Sequence, residues 1–523
     1  MRSGVALGPM CSNLSSVSAT LWVKTAVPGQ VIFEVFHDEA YKSIFETHRV
    51  ASSAELSYVA SATFENLQSN TTYFYRVCVR NDDLQMPGPD GGFFSNGAFT
   101  SQPEHDDNAS LTFCTVGAPV EKASTTDPPS ANPWTATCDS IVSAKPMLVV
   151  VSGGVLPRTV VRSIKTTISA QDKINIFSRL YAKQLGDMAI RRLLSSQVVL
   201  FGLNDDSNGS AMALRTEETA MEEKKEEASK SAKKNKKGKR QGFDPAERKL
   251  DEDPRGDITP AMVARKLHLP LEVEDVMTRH TYSRSRYGRR ADFFLLDTRG
   301  GVLGKTQTAW LNRELAASGC TWKFIVVQSM VSFETQPAPP PGSKGSNGRR
   351  SSKDKKKQSK LDSKDGVEVG TDDKGVQQNE MTGADKSAEG YITVADTIDF
   401  IVSEGITGVV FLTSDEQQLS VIRYSPKLTA EQLEAGQVAP LIHSFGIGPL
   451  GPSNQVAASV IPARKNAVLK PLRPEFLISE SAEVPSGGAT FGKVDVSAGG
   501  SLTYTVQDDS GVTLHSLTIE PSW

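Results

Sequence analysis

Paired cysteines, a membrane-length apolar run and a strong net charge are all missing from this sequence. The five cysteines are Cys11, Cys78, Cys114, Cys138 and Cys320, an odd number with no C-x-x-C pair. That argues against a disulfide framework and for reduced thiols inside a cell. The N-terminus, MRSGVALGPMCSNLSS, has no apolar stretch of signal-peptide length,. The apolar run Leu148 to Val151 is far below the ~20 residues that a membrane helix needs. The expected location is therefore cytoplasmic with no membrane span, although an upstream start codon would hide a leader. A net charge of -3 excludes the whole molecule as a polyanion binder. Histidine is scarce: the seven are His37, His48, His105, His268, His280, His443 and His515.

What is present suits a globular protein with polar insertions. The chain of 523 residues, 38% hydrophobic and 23% charged, can hold two or three domains and a sizeable core. Residues 1–103 read as strands. Val17 to Val23, Val31 to Phe36 and Tyr73 to Val79 are short β-patterned runs between turn signals, which suggests an all-β sandwich. Gln102 to Asn108 (QPEHDDN) is a polar linker. From residue 109 to 523 the pattern changes. Strand-like runs appear at Leu111 to Val116, Met147 to Val151, Gln197 to Phe201, Asp292 to Leu296, Phe324 to Gln328 and Val409 to Thr413. Between them lie helical stretches at Ile174 to Leu194, Thr306 to Ala317 and Thr393 to Ser403. Strands alternating with helices predict an α/β layered domain. Ala489 to Ile519 alternates again, with Asp509-Ser510-Gly511 as a hairpin turn,.

Two segments interrupt this pattern. Glu217 to Asp253 and Pro337 to Gly390 are charged or polar and poor in apolar residues. Neither can bury enough surface to offset its ordering entropy, so both are expected to be disordered insertions. Inside the first, Lys224 to Arg240 carries nine basic and two acidic residues beside an acidic stretch from Glu217 to Glu227. It reads either as a solvated charged loop or as an arm for an acidic partner or nucleic acid.

Several words of the sequence resemble the PhoD-type alkaline phosphatases. Tyr282 to Arg299 (YSRSRYGRRADFFLLDTR) looks like that family's Y-R-x-x-R-Y-G-x-x-x-E-F-F-x-L-D-T-R. Leu303 to Gln328 looks like its L-G-x-x-Q-x-x-W-L followed by an apolar strand, and Thr397 to Leu412 like the strand before its last metal motif. Leu67 to Val77 resembles the later strands of a fibronectin type III domain, with Tyr73 at the tyrosine corner and Trp22 as the core aromatic. The resemblance implies a fibronectin type III-like sandwich joined to a metallophosphatase domain. In that domain two facing sheets are flanked by helices, closing β-strands follow, and strand-end loops hold metal ions.

The same resemblance exposes what the strand ends lack. Two metal ions that polarise a phosphate and activate water need several carboxylate and imidazole ligands. After Leu111, Val116 stands where the family has a cysteine, and Cys114 points the same way on the strand,. Cys114 is either a substitute ligand or a buried core thiol. Gly154 stands at the bridging aspartate, and no acid occurs between Lys145 and Ile168. Leu203 and Asn204 replace an acidic pair, and Asp205 a histidine. Asn204, Asp205 and Asp206 suit either a hard cation or an Asx-rich turn. Asp415 stays in the last motif, but Gln417 replaces its histidine. His443, in PLIHSFGIGPLGP, looks like part of the late substrate-side loop; a structural role is the other reading.

The residual metal set is thus Asn204, Asp205, Asp206 and Asp415, enough for a single weakly bound divalent cation at most. The expectation is a pseudophosphatase that needs no cofactor and acts as a binding or scaffold protein for another protein. The alternative is a divergent metal-dependent phosphatase or phosphodiesterase using those acids, with His443 and Asp415 as its catalytic groups.

Overall fold

The computed structural model describes residues 4–80, 95–117, 134–201, 260–270, 282–332, 391–447, 472–479 and 489–521. Within these, residues 56, 153–154, 157–163, 165–167, 299–302, 328–329, 415–419, 427, 429, 435 and 437–438 are excepted. One compact unit takes residues 1–334 and 391–523; the other, 335–390, lies outside the described residues. Both predicted insertions fall outside them too. No helix among the described residues is long and apolar enough to cross a membrane.

The first hundred residues form two antiparallel sheets. Strands β1 (Val5–Ser12), β2 (Ala19–Thr25) and β5 (Val59–Phe64) make one, in the order β1-β2-β5. Strands β3 (Gly29–Phe36), β4 (Ile44–Ser52), β6 (Thr72–Arg80) and β7 (Ser95–Thr100) make the other, in the order β4-β3-β6-β7. Alternation sends Leu21 and Val23 into one buried cluster with Val31, Phe33, Tyr73 and Tyr75,. The Tyr73 hydroxyl accepts a hydrogen bond from the Gln68 N–H at 2.9 Å, so the expected corner is formed. Trp22 departs from expectation. It lies between Leu21 and Val23, so its ring leaves by the opposite face and packs with Leu7, Met10 and residues of the flanking helices.

Two larger sheets follow. The first holds β8 (Leu111–Val116), β9 (Leu148–Val151), β10 (Val198–Phe201), β20 (Thr490–Val496), β21 (Leu502–Asp508) and β22 (Thr513–Ile519), in the order β10-β9-β8-β20-β21-β22. The second holds β11 (Ser283–Tyr287), β12 (Ala291–Leu295), β13 (Trp322–Val326), β16 (Val409–Ser414), β17 (Ser420–Pro426), β18 (Ile442–Ile447) and β19 (Leu472–Ser479), in the order β11-β12-β13-β16-β18-β17-β19. A short parallel pair, β14 (Met330–Ser332) with β15 (Tyr391–Thr393), completes the strands. Strands β8, β9 and β10 run parallel, as do β12, β13, β16 and β18. Every residue of β9, β12, β13 and β16 is buried, including Asp292 and Lys323, as strands covered on both faces require.

The sheets face one another across an aromatic seam. Phe113 sits 5.0 Å from both Phe293 and Phe324, and Phe445 stacks on Tyr504 at 4.2 Å. Helices α1 (Trp134–Ser143), α2 (Ala170–Leu185), α3 (Met188–Ser196) and α4 (Pro260–Lys266) cover the outer face of the first sheet. Helices α5 (Lys305–Ala316) and α6 (Ala395–Ser403) cover that of the second. The predicted single helix from Ile174 to Leu194 is two. Gly186 caps α2, and the Asp187 carboxylate restarts the chain by accepting the Ala189 and Ile190 N–H groups,.

The N-terminal sandwich is tied to this body at several points. The Tyr75 hydroxyl donates to Ser195 O at 2.7 Å, Lys24 Nζ to Leu267 O at 3.1 Å, and Arg191 to Val5 O and Gly8 O. The tightest approach is at Gly97, where a Cβ would collide with Ser195 O and the Tyr75 ring. Gly97→Ala should therefore destabilise the protein by about 1–3 kcal/mol. Gly319 has open space around it, so Gly319→Ala should stay within about 0.5 kcal/mol. Urea denaturation of both variants checks this; equal midpoints would refute the close approach.

Candidate strand-end site

Parallel strands in facing sheets place their C-terminal ends where loops can converge. Here the loop between β20 and β21 shows that both sheets share one direction. Val496 pairs with Leu111 at the start of β8, and the same loop accepts the Trp322 indole N–H on Gly500 O at 2.7 Å, at the start of β13. The opposite edge therefore gathers the ends of β8, β9, β10, β12, β13, β16 and β18.

Among the described residues, the side chains at that edge are mostly hydroxyls and core groups. Cys114 and Val116 face the helices rather than the gap between sheets. Cys114 is fully buried, and burial pushes its thiol up to about 12. It is a core thiol. The inward position is Thr115, buried and with its hydroxyl unpartnered among the described residues. At the end of β9, the Ser152 hydroxyl donates to Val116 O at 3.0 Å. At the end of β16, Ser414 is buried. Past β12, alternation from Phe293 and Leu295 sets Asp297 inward. Asp297 is 2% exposed. Its main chain is held from α5, where Gln307 accepts the Asp297 N–H and donates to Asp297 O, both at 2.8 Å.

Asp297 was not singled out by sequence, although the alternation Phe293-Leu295-Asp297 carries the signal. Gly154, Leu203, Asn204, Asp205, Asp206, Asp415 and Gln417 lie outside the described residues. Their strands are described: Val151 pairs with Phe201, while Ser414 ends β16 in the other sheet. The structure thus brings the stems of these segments to one edge.

His443 is not in a loop at that edge. It is the second residue of β18, paired with Val410 and Arg423, whereas Ser414 pairs with Ile447. Four residues separate it from the strand end, roughly 13 Å. The ring is buried, and its Nδ1 has no partner among the described residues. The reason for the misplacement is register: the segment before the glycines forms the strand itself.

Burial pushes His443 down to about 4, with Arg423 adding to the effect, and likewise His268 to about 4, with Lys24 adding. His268 Nδ1 lies 2.7 Å from Ala264 O, and the ring stacks on Tyr181. Above the unfolded value of 6.5 both rings are neutral in either state. Below it the unfolded chain binds protons first, so stability falls between 6.5 and about 4 and then levels,. Each ring accounts for up to about 3 kcal/mol of that loss. Urea titrations from pH ~7 to ~4 should give a shallower decline for the double variant His268→Gln/His443→Gln. An unchanged slope would refute the assignment.

Comparison with known proteins fits this geometry. The description "PhoD-like phosphatase" matches residues 300–474. That range takes in Leu303 to Gln328 and Thr397 to Leu412 and starts just after Tyr282 to Arg299. No curated protein matches in sequence. Among solved structures, that of PhoD is 15% identical, with a TM-score of 0.57, over 100% of this chain and 93% of its own. A purple acid phosphatase from yellow lupin (Lupinus luteus) seeds is 9% identical, with a TM-score of 0.49, over 98% of this chain and 73% of its own. Residues 300–474 are thus similar to the PhoD-like phosphatases, and the whole chain shares the fold of PhoD.

Proposed function

We propose that this metallophosphatase-fold protein does not hydrolyse phosphoesters and serves as a binding or scaffold protein for another protein. The observation that carries the reading is the side-chain chemistry of the strand ends. Gly154, Leu203 and Gln417 stand where metal-coordinating groups are expected. The described inward positions add the hydroxyls of Thr115 and Ser152 and the carboxylate of Asp297. Such a set does not fit two mutually repelling divalent cations. Asn204, Asp205, Asp206 and Asp415 leave room for one weakly held cation. His443, buried inside β18, is a poor acid for a strand-end reaction. We read residues 1–103 as a fibronectin type III-like domain, on the Tyr73 corner, and 109–523 as the phosphatase-type domain. Five buried free thiols support a cytoplasmic location.

The test is metal content and turnover. Purified protein supplied with Mn²⁺, Zn²⁺, Fe³⁺ or Ca²⁺ should retain less than one equivalent of metal and leave phosphomonoesters and diesters intact. Turnover abolished by Asp415→Asn would establish the divergent phosphatase instead.

The segment Lys224 to Arg240 supports a second contact, with an acidic protein or nucleic acid. It has no aromatic residue, so any nucleic-acid contact would be electrostatic and blind to sequence. Binding of RNA or DNA should weaken steeply from ~50 to ~200 mM salt. It should be lost when the lysines become glutamine. Equal binding by both proteins removes the nucleic-acid form of the proposal.

A further inference from the structure

Several arginines end on carboxylates, while others, such as Arg191, end on main-chain carbonyls. Arg76 meets Glu34, Arg192 meets Asp139, and Arg313 meets Glu314. Arg284 is doubly matched: its Nε and Nη2 bind the fully buried Asp292 at 3.1 and 2.8 Å, and its Nη1 binds Glu314 at 2.9 Å. Arg286, two residues along β11, differs. Its Nε donates to Gly288 O at 3.0 Å and its Nη2 to His105 O at 3.1 Å. Both acceptors are neutral carbonyls. They fix the guanidinium in place but, among the described residues, leave it without a carboxylate partner and its Nη1 donors without an acceptor,.

Arg286 lines an open cleft of about 350 Å³, together with Leu14, Gln102, His105, Arg284 and Ser285. No carboxylate is among the lining residues. Ser285 Oγ accepts from Gln102 Nε2 at 3.3 Å, which leaves its own O–H free to donate. The His105 ring is exposed in the linker. The nearby acids lie outside the lining of the cleft. Asp292 and Glu314 are taken by Arg284, the Asp107 carboxylate accepts the Ala109 N–H, and Glu104 and Asp106 are solvent-exposed.

The geometry points to this cleft as a metal-free binding site for a phosphate group, held by the anchored Arg286 fork, with Ser285 and His105 in its lining. A pre-positioned guanidinium loses little freedom on binding and matches the oxygens of a phosphate with paired N–H groups. The cleft is separate from the strand-end edge. Arg286 pairs with Asp292 near the start of β12, five residues or roughly 16 Å from Asp297. The inference therefore stands whether or not the strand ends bind metal.

Calorimetric titration of the full chain, metal-free and at constant ionic strength in chloride, tests it. Inorganic phosphate and glycerol phosphate are the two probes, with acetate as the comparison. Saturable binding of either phosphate probe is expected, weakened about tenfold or more by Arg286→Gln and about threefold by Ser285→Ala. Binding of the ester alone supports the site and makes its ligand a phosphomonoester. Arg286 also braces the linker, so circular dichroism must show that the variant folds. If it does not, Ser285→Ala and His105→Gln decide the matter. No binding, binding unchanged in the folded variants, or acetate bound as tightly as phosphate overturns the inference.

Discussion

The face-to-face packing of the two large sheets is the constraint on which the rest depends. Phe113, Phe293 and Phe324 meet as a triangle, two of the contacts edge-to-face, and Phe445 stacks on Tyr504. Each ring buried this way is worth about 1.5–3 kcal/mol in transfer terms. The seam also fixes geometry. It holds the parallel strands of both sheets in one direction, so their ends meet at one edge. Tyr504 lies over Gly492, where a Cβ would strike its ring. A side chain there would displace Tyr504, which stacks on Phe445 of the other sheet.

A second set of contacts joins the N-terminal sandwich to this body, and it uses main chain as much as side chain. Gly288 has φ +55 and lies where a Cβ would come within 2.6 Å of Asp107 O. The Arg289 N–H donates to that same oxygen, and Arg286 reaches His105 O. The linker is thereby laid along the turn between β11 and β12. Trp22 adds apolar area on the other side of the sandwich, which is why a strand of the small sheet buries both its faces.

Much of this was legible in sequence because strand alternation and apolar runs are local. β8 has the predicted bounds, and β16 extends one residue further. The helix break at Gly186-Asp187 was also written in the sequence, as a glycine cap followed by an N-cap acid, but the apolar periodicity running through it hid the signal. Trp22 could have been assigned from its neighbours Leu21 and Val23. His443 could not. Alternation says which face a residue takes, whereas its distance from the strand end depends on register with Val410 and Arg423, which are distant in sequence. The network of Arg284, Asp292, Glu314 and Ser318 was invisible for the same reason: it joins β11, β12, α5 and the turn after it.

The words that carry the family resemblance turn out to do structural jobs. In Tyr282 to Arg299, Arg286 and Gly288 brace the linker, while Asp292 anchors Arg284 and Ser318. In Leu303 to Gln328, Gln307 clamps the main chain at Asp297, and Trp322 hooks the β20–β21 loop. None of these contacts needs a metal ion. At the strand ends the position is reversed, since a ligand side chain there would serve the ion and not the sheet. Ser152 already closes on Val116 O with both its N–H and its hydroxyl, so β9 ends in register whatever stands at position 154. A fold held by its seam and its braces can therefore lose coordinating side chains without losing the edge that displayed them. Among the described residues, that edge carries the hydroxyls of Thr115 and Ser152 and the carboxylate of Asp297, clamped through its main chain.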